Sequence, residues 1–134
     1  MKQSPTVFVV DDRPQVLESL KAIFKAHGYT VECFASSAEF IADQGPNQAG
    51  CVIVDPLMNP SGRTVLQWLH KSDSLLSIVL ISGLIASADR VQQASVPRIS
   101  ESPYEIWVLL TMVADGLAGS LSRKSIRDRG RLRG

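Results

Sequence analysis

The fold is constrained most strongly by short apolar runs that are followed at once by acidic residues. Thr6 to Val10 is followed by Asp11 and Asp12, and Cys51 to Val54 is followed by Asp55. Strands that are apolar on both faces are typical of a parallel sheet with helices on both sides. Because helical patterns separate these runs, the sequence predicts repeated βα units and an α/β fold.

The whole pattern contains five predicted strands and five predicted helices. The strands are predicted at Thr6–Val10, Tyr29–Phe34, Cys51–Val54, Ser77–Ile81 and Val96–Ile99. The helices are predicted from Pro14 to His27, from Ser36 or Ser37 to about Gln44, over Val65–Leu69 after a loop that ends at Gly62, over Ala86–Ala94, and from Pro103 to between Gly116 and Gly119. Prolines suit the first turn of a helix, and glycine suits its end.

The composition agrees with one folded domain, which we place at residues 1–120. The chain has 134 residues, of which 45% are hydrophobic and 20% charged, with a formal net charge of +1. No apolar run reaches the roughly 18 residues of a membrane span, and no signal peptide is apparent. Cys33 and Cys51 lie in strand-like segments, as expected for core residues in a reducing compartment. We therefore expect a cytoplasmic protein.

The last 14 residues, 121–134, differ from the rest in charge. They contain six basic residues and one acidic residue, which gives a net charge of +5. Because almost no apolar residues follow Ile126, we predict a disordered basic tail. A solvated extension is the simplest interpretation. Contact with an acidic protein, a membrane surface or nucleic acid is the alternative, although we do not expect DNA binding.

Polar residues at the ends of the predicted strands form the candidate site. Asp11, Asp12, Asp55 and Ser82 all follow strands, and such positions line one crevice in a doubly wound sheet. Converging carboxylates repel one another unless a cation is bound, and a few oxygen ligands suit Mg²⁺. A carboxylate beside Mg²⁺ can attack phosphorus, and a serine hydroxyl can bind phosphoryl oxygens. The alternative is that these residues only cap loops.

Four segments resemble the receiver domain of two-component response regulators. They are Val7 to Asp12, Phe34 to Phe40, Cys51 to Asp55 with Met58, and Ile81 to Gly83. The resemblance covers about residues 5 to 119 and is greatest to receivers that precede a helix-turn-helix output domain. It implies a flavodoxin-like doubly wound sheet of five parallel strands in the order 2-1-3-4-5, with helices on both faces.

The resemblance also implies a role for each matching residue. Asp55 would accept the phosphoryl group, and Asp12 and Asp55 would bind Mg²⁺ together with the backbone carbonyl of Leu57. Asp11 would support this metal site. Ser82 would be the switch hydroxyl.

The sequence departs from the receiver pattern in its second half. Receivers carry a lysine before a proline after the fifth strand, and here Ser102 precedes Pro103. Ile99 stands where an aromatic switch residue is usual. Arg13 is either a salt-bridge residue or a substitute for the missing lysine charge, with Arg63 as a weaker candidate.

We therefore predict a stand-alone, atypical receiver that takes a phosphoryl group on Asp55 from a histidine kinase or phosphotransfer protein. It would signal by contact with a downstream protein. Enzymatic activity is not expected, because Leu57 occupies the position of the second aspartate of aspartate-nucleophile phosphatases. The alternative, favoured by Ser102 and Ile99, is a pseudo-receiver that acts as an interaction module without phosphorylation. Monomer and homodimer both remain open.

Overall fold

Strands and helices alternate along the chain. The computed structural model describes residues 5–45, 47–55, 61–80 and 103–133. The elements are β1 (Thr6–Val10), α1 (Pro14–Ala26), β2 (Thr30–Phe34), α2 (Ser37–Asp43), β3 (Gly50–Val54), α3 (Ser61–Lys71), β4 (Ser77–Leu80) and α4 (Pro103–Arg133). The predicted helix at 86–94 and the predicted strand at 96–99 lie outside the described residues.

The four described strands form one parallel sheet in the order β2-β1-β3-β4. This order agrees with the first four positions of the predicted topology, and it confirms the α/β fold. Each βα unit places the next strand parallel to the last, because a helix carries the chain back along the sheet.

The core has two halves, one on each face of the sheet, because successive strand side chains point in opposite directions. One half joins Val7, Val9, Cys51 and Ile53 to apolar side chains of α1 and α4. The other half packs the alternate strand residues against α2 and α3, and its members include Phe8, Val10, Val52, Val54, Phe40, Val65 and Leu69. Both faces are therefore covered, which explains why β1 and β3 are fully buried.

Helix α4 is the main difference from the sequence-based expectation. We predicted a helix that ends between Gly116 and Gly119 and a disordered tail after it, whereas α4 is continuous for 31 residues to Arg133. A helix that is already nucleated grows at little cost, and Arg, Lys and Leu are good helix formers. Among the described residues, no helix has the length and hydropathy of a membrane span, α4 included.

Polar contacts hold the middle of α4 against the start of β4. The hydroxyl of the fully buried Ser120 donates to the Leu75 carbonyl at 2.6 Å and accepts from the Gly50 N–H at 2.8 Å. Arg123 Nη2 donates to the same Leu75 carbonyl at 3.2 Å and to Ser77 Oγ at 2.6 Å. These bonds lie just beyond the apolar stripe of the helix, so α4 stays attached where its hydrophobic contacts end.

One turn further along α4, an arginine fixes the loop before β4. Arg127 Nη2 donates to the Asp73 carbonyl at 2.9 Å and to its carboxylate at 3.1 Å. The two arginines thus satisfy backbone carbonyls at the amino-terminal edge of the sheet. Charge in the predicted tail is therefore used partly to dock the helix.

Replacing Ser120 by alanine should lower the free energy of unfolding by about 2 kcal/mol, because the buried Gly50 N–H loses its acceptor. Ser122→Ala is the matched control, since Ser122 is exposed on the same helix and the change in helix propensity is the same. Urea unfolding followed by circular dichroism measures both. Equal stability of the two variants would contradict this role of Ser120.

The two cysteines should differ in reactivity, because they differ in burial. Burial raises the pKa of the Cys51 thiol to about 12, and burial also raises the pKa of the half-buried Cys33 from 9.0. Labelling of the native protein with iodoacetamide at pH 8.5, read by intact mass, should modify Cys33 slowly and leave Cys51 unmodified. Equal labelling of both thiols would contradict this assignment.

The free energy of unfolding should fall as the pH rises above 9.0, since only the unfolded chain then loses the Cys51 proton.

Candidate functional site

Strand register brings two of the predicted acidic residues together. Val10 of β1 lies opposite Val54 of β3, so Asp11 and Asp55 emerge side by side at the carboxyl edge of the sheet. Both are buried, with relative exposures of 0% and 7%. Because side chains alternate along a strand, both carboxylates lie on the face of the sheet that carries α1.

The residue before α1 supplies a cation that contacts both carboxylates. Arg13 is the residue before Pro14, the first residue of α1. Its backbone N–H donates to Asp11 Oδ1 at 2.8 Å. An aspartate that accepts from the N–H two residues on forms a local turn, and this turn fixes the direction in which the chain enters the helix.

The guanidinium of Arg13 spans both carboxylates. Its Nε donates to Asp11 Oδ1 at 3.1 Å, and its Nη2 donates to Asp11 Oδ2 at 3.1 Å and to Asp55 Oδ2 at 3.2 Å. The fork geometry of arginine allows such paired contacts. The side chains of Asp11, Asp55 and Arg13 are 0%, 9% and 29% exposed. The partly exposed guanidinium of Arg13 therefore contacts both of these buried carboxylates.

The other predicted site residues differ in what the structure describes. Asp12 is exposed and directly follows Asp11. Leu57, Ser82, Ile99 and Ser102 lie outside the described residues, so their predicted roles stay predictions. The side chain of the weaker candidate, Arg63, is also outside them.

A divalent cation would suit the oxygens that converge here. Within the described parts of the chain, no group of three or more His, Cys, Asp or Glu side chains is arranged to hold a metal ion. Two carboxylates nevertheless meet at one cationic nitrogen, Nη2 of Arg13. Hard oxygen donors in small number are what Mg²⁺ binds, with water completing its shell. Asp11 and Asp55 therefore fit a metal site to which other ligands would have to contribute.

Replacing Asp11 by alanine should lower the free energy of unfolding by about 2 to 3 kcal/mol. The change removes the acceptor of the Arg13 backbone N–H and two side-chain contacts in a buried position. Asp12→Ala is the control, because Asp12 is exposed, and it should cost less than about 1 kcal/mol. Urea unfolding at pH 7 without metal compares the two variants. A smaller loss for Asp11→Ala than for Asp12→Ala would contradict the structural role of Asp11.

Comparison with known sequences gives a consistent result. The family model described as "Response regulator receiver domain" matches residues 7–97. The response regulator protein TmoT of Ectopseudomonas mendocina is 35% identical over 82 residues, which cover 60% of this chain and 37% of TmoT. The response regulator protein TodT of Pseudomonas putida is 33% identical over 82 residues, which cover 60% of this chain and 36% of TodT. The matched segment thus spans well under half the length of either relative.

Solved structures share the architecture. The response regulator StyR superposes with a TM-score of 0.69 at 23% identity, covering 96% of this chain and 66% of that chain. A response regulator from Colwellia psychrerythraea gives a TM-score of 0.50 at 27% identity, covering 68% of this chain and 76% of that chain. At its low identity, the StyR match supports the fold alone.

Proposed function

Because the chain belongs to the response regulator receiver domain family, we propose that it takes part in two-component signalling by accepting a phosphoryl group on Asp55. The observation that carries this proposal is the register of β1 and β3, which sets Asp55 beside the buried Asp11 at the carboxyl edge of the sheet. Ligands of open α/β sheets bind at that edge.

The transfer requires one bond to form and one to break. A carboxylate oxygen of Asp55 attacks the phosphorus of a phosphohistidine on a histidine kinase or phosphotransfer protein. The new P–O bond forms as the P–N bond breaks, and the imidazole nitrogen leaves with the electron pair. Asp12, Asp55 and the Leu57 carbonyl would hold Mg²⁺, with Asp11 supporting the site. The bound metal offsets negative charge on the phosphoryl oxygens.

In addition to Mg²⁺, Arg13 would supply positive charge to the phosphoryl group. The sequence has Ser102 where receivers carry the lysine that binds the phosphoryl group. Arg13 Nη2 already lies 3.2 Å from Asp55 Oδ2, so a phosphoryl group on that carboxylate would be within its reach. Guanidinium binds phosphoryl oxygens in the same paired geometry as carboxylates. Arg13 forms a salt bridge with Asp11 and Asp55 in the resting state. In the phosphorylated state it would supply the positive charge that the lysine provides in other receivers.

The proposed output of the receiver is a contact with another protein. We propose that residues 1–120 are the receiver and that it acts in the cytoplasm through protein contact, without enzymatic activity or DNA binding of its own. Arg13 lies at the start of α1, so it would replace the lysine's charge without tying the segment around Ser102 to the phosphoryl group. Together with the loss of the aromatic residue at Ile99, this weakens the coupling between Asp55 and the distant face. A ligand shifts a two-state equilibrium only by its differential interaction with the two states. Ser82 remains as the switch hydroxyl.

Treatment with beryllofluoride and Mg²⁺ should occupy Asp55 in the wild-type protein, because the carboxylates of the site are retained. Fluorine NMR measures the adduct, and Asp55→Asn is the control that should show none. Backbone amide shifts over residues 103–120 measure the coupled response, which should be small. A shift as large as that of an ordinary receiver would contradict weak coupling.

The alternative function gives a different result in the same experiment. A pseudo-receiver keeps the fold but does not use Asp55, so it would show no fluorine signal from an Asp55 adduct at any concentration of Mg²⁺ that the protein tolerates. That outcome would overturn the proposed phosphoryl transfer.

A further inference from the structure

The point at which the two buried carboxylates converge is occupied by a side chain of the protein itself. Nη2 of Arg13 contacts Asp11 Oδ2 and Asp55 Oδ2 at 3.1 and 3.2 Å. In the proposed function Asp55 is a ligand of the metal and Asp11 supports the metal site. The guanidinium and a divalent cation would therefore use overlapping oxygens.

We propose that Arg13 is a resident counter-ion that competes with the divalent cation, so that its side chain sets the affinity of the site for Mg²⁺. The inference rests on the proposed function only in taking Asp11 and Asp55 as part of the metal site. It goes beyond it in assigning a regulatory contact to a residue of the resting protein.

The competition follows from distance and charge. Mg²⁺ binds oxygen at about 2.0 to 2.1 Å, whereas the Arg13 nitrogens lie at about 3 Å from theirs. A metal bound to Asp55 Oδ2 and a guanidinium on the same atom would bring two cations within a few ångström of each other in a poorly solvated site. Their repulsion is strong where water is scarce. Binding of the metal must therefore weaken the Arg13–Asp55 contact.

The geometry also shows how the exchange can occur without unfolding α1. The backbone N–H of Arg13 is held separately by Asp11 Oδ1 at 2.8 Å. The Arg13 side chain is the most exposed of the three charged side chains, at 29%. Its arm can rotate while the turn before α1 stays in place. Displacement by the metal would then free the guanidinium for the phosphoryl oxygens, which links the resting contact to the substitute role of Arg13.

The test compares Mg²⁺ titrations of the wild-type protein, Arg13→Gln, Arg13→Lys and Lys21→Gln, read by amide shifts near Asp12 and by the metal-dependent rise in Tm. Lys21 is an exposed basic residue of α1, so its variant controls for the loss of one positive charge. Arg13→Gln should bind Mg²⁺ about tenfold more tightly than wild type, while Lys21→Gln should change the affinity by less than about twofold. Stabilisation by the metal should rise accordingly.

A second variant, Arg13→Lys, keeps the inference testable even when Arg13→Gln fails to fold. If Arg13→Gln does not fold without metal, Arg13→Lys keeps the charge but loses the paired geometry, and it should bind Mg²⁺ more tightly than wild type by a smaller factor. Unchanged or weaker affinity in the Arg13 variants would overturn the inference. If wild type still forms the beryllofluoride adduct in that case, the proposed function stands. Absence of both metal binding and adduct in every variant would overturn the two together.

Discussion

The pairing of β1 with β3 creates an electrostatic cost that the surrounding residues have to offset. The register that aligns Val10 with Val54 also aligns Asp11 with Asp55, and both acids are buried. Unpaired buried carboxylates are costly, because neither solvent nor a partner stabilises the charge. The strands cannot shift to separate the acids. A slip of one residue would move every side chain of β1 to the opposite face of the sheet, and both halves of the core would lose their packing.

The compensation comes from the residue that starts α1. Arg13 lies only two residues after Asp11 in the sequence. The turn at Asp11 therefore positions the Arg13 backbone directly. Pro14 then fixes the first turn of the helix. The sheet, the turn and the start of the helix are therefore linked by charge, so a change of charge at Asp55 would act directly on the Arg13 side chain.

The sequence is sufficient for the four described strands, for their parallel sheet and for the placement of Asp11 beside Asp55, because these depend on local apolar runs and on aspartates at their ends. It left the role of Arg13 open, since a spacing of two residues is compatible with several side-chain directions. It failed at α4, where composition after Ile126 predicted disorder. The contacts that extend the helix involve Ser120, Arg123 and Arg127, each of which meets a backbone carbonyl or polar group more than 40 residues away in the chain. Their spacing continues the face that Val113 and Leu117 begin, and that continuity was the available signal.

Arginine performs different tasks at the two edges of the sheet. At the amino-terminal edge, Arg123 and Arg127 donate to the Leu75 and Asp73 carbonyls, whose partial charge is fixed by the fold, and Arg127 also donates to the exposed carboxylate of Asp73. At the carboxyl edge, Arg13 donates to carboxylates, and a cation or a covalent modification changes their effective charge. If Asp55 is phosphorylated as proposed, we therefore expect the response at Arg13 rather than at the contacts that dock α4.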